Sequence, residues 1–158
     1  METKVSESED LLFVKQSFLV VILSTLLLAA CSGKIAPATP AESNRSGRVS
    51  VPGGSYLNIS AAQLRAMLDK KDFAFVNVHV PYEGEITKTD AFVSYNEIEQ
   101  NLGKLPTDKN AKIVLYCRSG RMSAIAAETL VRLGYTNVWN VEGGMIAWEA
   151  LGFPLEKK

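Results

Sequence analysis

The stretch that decides the fold is Leu115 to Tyr135, "LYCRSGRMSAIAAETLVRLGY". It closes an apolar, β-branched run, "AKIVLYC", and then breaks into a polar segment with two arginines around Ser119 and Gly120. Apolar residues resume at helical spacing from Ser123 to Leu133, and Gly134 ends the pattern. Cys117 therefore stands where a buried strand gives way to a helix. Small residues at Ser119 and Gly120 let main-chain N–H groups converge there, and a helix start adds unpaired donors and about half a positive charge. A thiolate gains from such surroundings where a thiol does not, which marks Cys117 as a nucleophile.

Strand and helix signals alternate on either side. "SYLNIS" reads as a short extended segment, and Ser60 with Gln63 makes a capping box that opens a helix to about Lys70. "FAFVNVHV", Phe73 to Val80, is apolar on both alternations except at Asn77 and His79, as in a strand covered on both faces. A polar loop follows Pro81, then a short helix over about Ser94 to Leu102 and a turn at "LPTDKN". "TNVWNV" gives a further strand, "EGG" a tight turn, and "MIAWEAL" a last helix before Gly152 and Pro154. The order implies an α/β fold, an open and mostly parallel sheet flanked by helices on both faces. Ligands of such sheets sit beyond the carboxyl ends of the strands.

The chain has 158 residues, 47% of them hydrophobic and 22% charged, with 17 basic against 17 acidic side chains. Zero net charge and the lack of a basic cluster exclude general attraction to nucleic acid, so no nucleic-acid partner is expected. His79 is the only histidine and the two cysteines are far apart, so no metal motif forms and no cofactor is implied.

The amino terminus reads as an address. Phe18 to Ala30, "FLVVILSTLLLAA", is uncharged and follows Lys15, the layout of a signal peptide. At about 1.5 Å per residue it makes a helix of roughly 20 Å, short of a bilayer core of roughly 30 Å. The run closes on "LAAC", Leu28 to Cys31, which resembles the lipobox of bacterial lipoproteins. That resemblance implies cleavage before Cys31, its acylation, and a membrane-anchored protein facing the periplasm, with Ser32 pointing to the outer membrane where a cell has one. An uncleaved anchor reaching back to Leu11 and an ordinary signal peptide are the alternatives. The acidic "ESED" before Lys15 is unusual for a leader and suggests a start codon further in. Residues 31–55, rich in Ser, Ala, Pro and Gly, read as a flexible tether, leaving 56–158 as the folded domain. If Cys31 carries lipid, Cys117 has no intramolecular partner in an oxidising compartment.

"YCRSGRMS" resembles the active-site loop of rhodanese-type sulfurtransferases, and "NVWNVEGGMIAWEALGFPL" resembles the closing signature of the same domain. The resemblance implies catalysis by Cys117, which takes sulfur from a small anionic donor such as thiosulfate as a persulfide and passes it to a thiol or cyanide. It also implies donor binding by Arg118, Ser119, Gly120, Arg121, Met122 and Ser123. Ser119, Gly120, Met122 and Ser123 would act mainly through backbone amides. Arg121 is the stronger anion-orienting candidate of the two arginines.

Loop length separates neighbouring chemistries. Cys-x5-Arg phosphatases need an arginine six positions after the cysteine, where this chain has Ser123, and the loop Cys117 to Met122 is one residue shorter than in phosphatase and arsenate-reducing relatives. A non-catalytic binding or persulfide-carrier module is the second reading. Many rhodanese domains carry Asp-x-Arg where this chain has Asn77 and His79, and Gly-His where it has "EGEI", Glu83 to Ile86. His79 is expected to serve as a structural hydrogen-bonder in a supporting place. Trp148 is expected to pack in the core.

Overall fold

Strand β5 (Ile113–Tyr116) shows how the sheet is built, because its residues alternate between two separate cores. Ile113 and Leu115 pack with Ala126, Ala127, Leu130 and Val131 on one face. Val114 and Tyr116 pack with Leu64, Leu68, Met145 and Trp148 on the other. A strand buried on both sides must be apolar throughout, which is why no polar residue interrupts it. The computed structural model describes residues 47–157, and the expected leader, Cys31 and most of the tether lie outside the described residues.

Around β5 the described strands are β1 (Gly47–Val51), β2 (Gly54–Ile59), β3 (Ala74–Asn77), β4 (Ala91–Phe92) and β6 (Val138–Val141), in the spatial order β1-β2-β6-β5-β3-β4. Every neighbouring pair is parallel except β1 with β2. Helix α1 (Ala61–Asp69) and helix α3 (Gly144–Ala150) cover one face, and helix α2 (Arg121–Arg132) covers the other. The open, mostly parallel α/β sheet read from the sequence is the observed one. The capping box is present in full: Ser60 Oγ accepts from Gln63 N–H and Gln63 Oε1 accepts from Ser60 N–H. Trp148 is buried, and its indole N–H donates to the Pro154 carbonyl.

Several boundaries differ. The segment read as tether up to Ser55 is folded from Gly47, because Val49 and Val51 alternate with Arg48 and Ser50 and lay a half-buried edge against the α2-side core. The strand expected to run to Val80 ends at Asn77, whose side chain turns the chain: Oδ1 accepts from His79 N–H and Nδ2 donates to the Gly84 carbonyl, each at 3.0 Å. The helix expected over 94–102 is instead a 3-10 segment, Glu99–Lys104, kinked at Asn101. Helix α2 starts at Arg121 rather than near Ser123, because Gly120 is left-handed (φ 89°) and turns the chain directly into it.

Candidate functional site

Cys117 follows Ile113 and Leu115 on the α2 side of the sheet, so the period of two brings its sulfur under the start of α2. The residue is 1% exposed. What lies against the sulfur is polar: Gly120 N–H donates to Sγ at 3.1 Å, and Ser123 Oγ stands 3.5 Å away. The first intrahelical bond of α2 runs from Ala124 N–H to the Gly120 carbonyl, so the amides of Arg121, Met122 and Ser123 have no acceptor within the helix. The unsatisfied, positive end of α2 is therefore next to the sulfur.

The orientation of these peptides comes from the other side of the loop. Met145 N–H donates to the Cys117 carbonyl at 2.9 Å and Ile146 N–H to the Arg118 carbonyl at 3.0 Å. The start of α3 thus takes two of the loop's carbonyls, while the Gly120 N–H faces the sulfur. Only glycine allows the approach. A Cβ at Gly144 would meet the Cys117 carbonyl oxygen at 2.1 Å, and one at Gly120 would meet Gly143 N and the Val141 carbonyl oxygen at 3.1 Å. "EGG" was legible as a turn. Its role in seating α3 against the loop was not, because that depends on contacts between residues far apart in the chain.

The predicted site residues come together unequally. Gly120 and Ser123 are buried at the sulfur, and Ser123 contributes its side chain rather than only its amide: Oγ also donates to the Gly120 carbonyl at 3.1 Å. One hydroxyl proton cannot serve both acceptors, so ionisation of the sulfur gives it a second place to go. Met122 is half-buried against the α2-side core. Ser119 is exposed. Arg121, expected in the tightest part of the curl, is the first helical residue and is exposed, with no ion-pair partner among the described residues. Arg118 is tied: its Nη1 donates to Glu83 Oε2.

Glu83 is the residue that sequence reasoning passed over. Arg118 beside it, and then His79, hold its carboxyl below the usual glutamate range, the smaller opposing effect being partial desolvation. His79 Nε2 stands 3.5 Å from the same Oε2. Asn77 makes two bonds that an Asp could not both make: a carboxylate could accept from His79 N–H but could not donate to Gly84. Among the described residues no group of His, Cys, Asp or Glu is placed to hold a metal ion, and no helix is long and apolar enough to cross a membrane.

A cysteine at a parallel strand's carboxyl end, its sulfur held by the amide of a tight loop that opens a helix, defines the candidate site of this α/β domain. This chain belongs to the rhodanese-like domain family, whose model matches residues 60–151. It is 34% identical over 101 residues to the tRNA uridine(34) hydroxylase of Erwinia tasmaniensis, a match covering 60% of this chain and 28% of that protein's length. Among solved structures it is similar to a rhodanese-related protein from Thermoplasma volcanium, with 31% identity and a TM-score of 0.53 over 62% of this chain and 95% of that one. It is similar also to the polysulfide-sulfur transferase homodimer of Wolinella succinogenes, with 25% identity and a TM-score of 0.55 over 65% of this chain and 80% of that one.

Proposed function

We propose that the protein is a membrane-tethered sulfurtransferase that carries sulfur on Cys117. The Cys117 thiolate attacks the outer sulfur of a thiosulfate-like donor. The donor's S–S bond breaks, its electron pair leaves on sulfite, and Cys117 keeps one added sulfur as an anionic persulfide. An acceptor thiolate or cyanide then attacks that outer sulfur, and the Cys117 thiolate returns as leaving group. No electron is left over and no cofactor enters. The observation that carries this reading is the Gly120 N–H on Cys117 Sγ at the open end of α2, which favours negative charge on that sulfur. The polysulfide-sulfur transferase from Wolinella succinogenes supports it as a structural relative. The hydroxylation named for the tRNA uridine(34) hydroxylases is not carried over, since the match spans 28% of such a protein.

In this reading Cys31 is acylated after removal of residues 1–30, and the chain from Cys31 to Gly47 links the lipid to the domain on the periplasmic side. Cys31→Ala is expected to release the protein from the membrane fraction or leave the leader uncleaved. Unchanged processing with unchanged membrane retention would contradict it. For the enzyme, sulfite release from thiosulfate should continue through many turnovers with cyanide or a dithiol as acceptor and vanish in Cys117→Ser. A single stoichiometric sulfur uptake without turnover would favour the persulfide-carrier module instead.

A further inference from the structure

The side chains about the Cys117 loop carry balanced charge. Arg118, the residue after the nucleophile, is paired through Nη1 with Glu83 Oε2, and both side chains are partly exposed. Arg118, and then His79, hold the Glu83 carboxyl below the usual glutamate range, so it is ionised at neutral pH and offsets the guanidinium. Arg121 opens α2, and against it stands the exposed Glu142, whose Cα lies 3.5 Å from where a Gly120 Cβ would be. Glu85, on the loop of Glu83, is buried and adds no positive charge. The attraction left for an anion comes from the Gly120 N–H and the open end of α2, about half a charge, which suits one negative charge better than two. Exposed apolar groups adjoin the pair: Tyr82 precedes Glu83 and rests edge-on against Phe92, and Ile146 donates its N–H to the Arg118 carbonyl at 3.0 Å.

We propose that the site takes its sulfur from an organic thiosulfonate, R–SO2–S⁻, in preference to thiosulfate, and that Glu83 determines this preference by neutralising Arg118. The inference rests on the sulfur-transfer reading and names the donor class for it. Such a donor is thiosulfate with one oxygen replaced by a carbon group, so it has one negative charge instead of two and an apolar body that can lie on Ile146 and Tyr82. The Cys117 thiolate attacks its terminal sulfur, the S–S bond breaks, the electron pair leaves on the sulfinate R–SO2⁻, and Cys117 keeps the persulfide. Two negative charges enter the step and two leave it. Thiosulfate brings a third, and its repulsion of the thiolate falls only where a cation offsets it. The Arg118 charge is already compensated by Glu83.

The test uses the full chain. Sulfur uptake from benzenethiosulfonate and from thiosulfate, each sub-saturating and at equal concentration, is followed by intact mass, and the ratio of the two rates cancels any change in the thiolate fraction. The wild type should react faster with the thiosulfonate. Glu83→Gln should shift the ratio toward thiosulfate by about two- to fivefold at low salt, and Glu83→Asp, which keeps the carboxylate, by less. Added salt should shrink the shift, which a purely structural effect would not do. Ile146→Ser should slow benzenethiosulfonate relative to methanethiosulfonate by about twofold. A wild type that favours thiosulfate, or a donor ratio unchanged in Glu83→Gln, overturns the proposal, and an unchanged phenyl-to-methyl ratio in Ile146→Ser overturns the apolar contact. Alkylation of Cys117 by iodoacetate and by iodoacetamide, reagents of similar size that differ by one negative charge, gives a readout free of sulfur transfer. Glu83→Gln should raise that ratio by about two- to fivefold and Arg118→Gln should lower it. No change in either variant overturns the control by charge. The expected alkylation shifts in a protein that takes sulfur from neither donor would instead preserve that control and sink the sulfur-transfer reading.

Discussion

A methyl group on Gly144 would stand 2.1 Å from the carbonyl oxygen of Cys117 and 2.9 Å from the carbonyl carbon of Arg118. Both obstacles are backbone, so neither can swing aside as a flexible side chain would. The Cys117 loop and the start of the last helix are in this sense one unit, and the short α3 fixes which way the loop's peptides face.

Gly144→Ala is therefore expected to lower stability by more than about 2 kcal/mol, from the collision and from a positive φ of 52°. Gly103→Ala, where nothing lies within 4 Å of the new carbon and φ is not positive, should change it by less than about 0.5 kcal/mol. Urea unfolding of the two variants side by side checks the contrast.

Ser123→Ala removes the hydroxyl at 3.5 Å from Cys117 Sγ while leaving the backbone amide. The loss of one hydrogen bond that favours the attacking thiolate over the thiol, about 1–2 kcal/mol, corresponds to a fall of about five- to thirtyfold in the rate of sulfur uptake at saturating thiosulfate. A single-turnover measurement by rapid quench would show it. Folding should be affected by only about 1 kcal/mol.

Burial of Cys117, 1% exposed, leaves little of its sulfur open to reagents. Small reagents should then react much faster than broad ones. With the native protein, iodoacetamide is expected to outpace Ellman's reagent by at least about tenfold relative to the same pair on urea-unfolded chain. Equal relative rates would mean an open thiol.

Tyr116 links the strand before Cys117 to the loop that carries Glu83. Its hydroxyl accepts from Ile86 N–H at 3.0 Å and is 2.7 Å from Thr89 Oγ1, and burial pushes its ionisation well above the ordinary tyrosine range. A raised folded-state value for an acid means stability that is complete below the unfolded value of about 10 and is lost as pH climbs beyond it. Tyr116→Phe should lose about 1–2 kcal/mol near pH 8 and show a shallower alkaline decline, the remainder coming from Tyr56, which burial also raises. Urea midpoints measured from pH 8 to 11.5 report both effects.

The sheet and its helices were legible because their signals are local. Ile113 to Tyr116 is apolar at every position, Ser60 and Gln63 satisfy each other within one turn, and Gly120 followed by an apolar periodicity announces a helix. The edge strand β1 was hidden by composition: two valines among Arg, Ser, Pro and Gly resemble a linker until β2 is there to pair with them. The two-residue β4 carries too little pattern to be read at all. At the site, Cys117, Gly120 and Ser123 could be named from the motif, whereas Glu83 could not. Glu83 lies 34 residues before Cys117 in a loop with no periodicity, and only the turn made by Asn77 brings it to Arg118.

The central claim is that Cys117 holds sulfur as a persulfide, and intact-mass analysis of the protein after incubation with thiosulfate, a thiosulfonate or polysulfide tests it most directly. The wild-type chain should gain the mass of one sulfur atom, located on Cys117 and removed by cyanide, and Cys117→Ser should gain nothing. A wild-type protein that stays unmodified with all three donors would contradict the account.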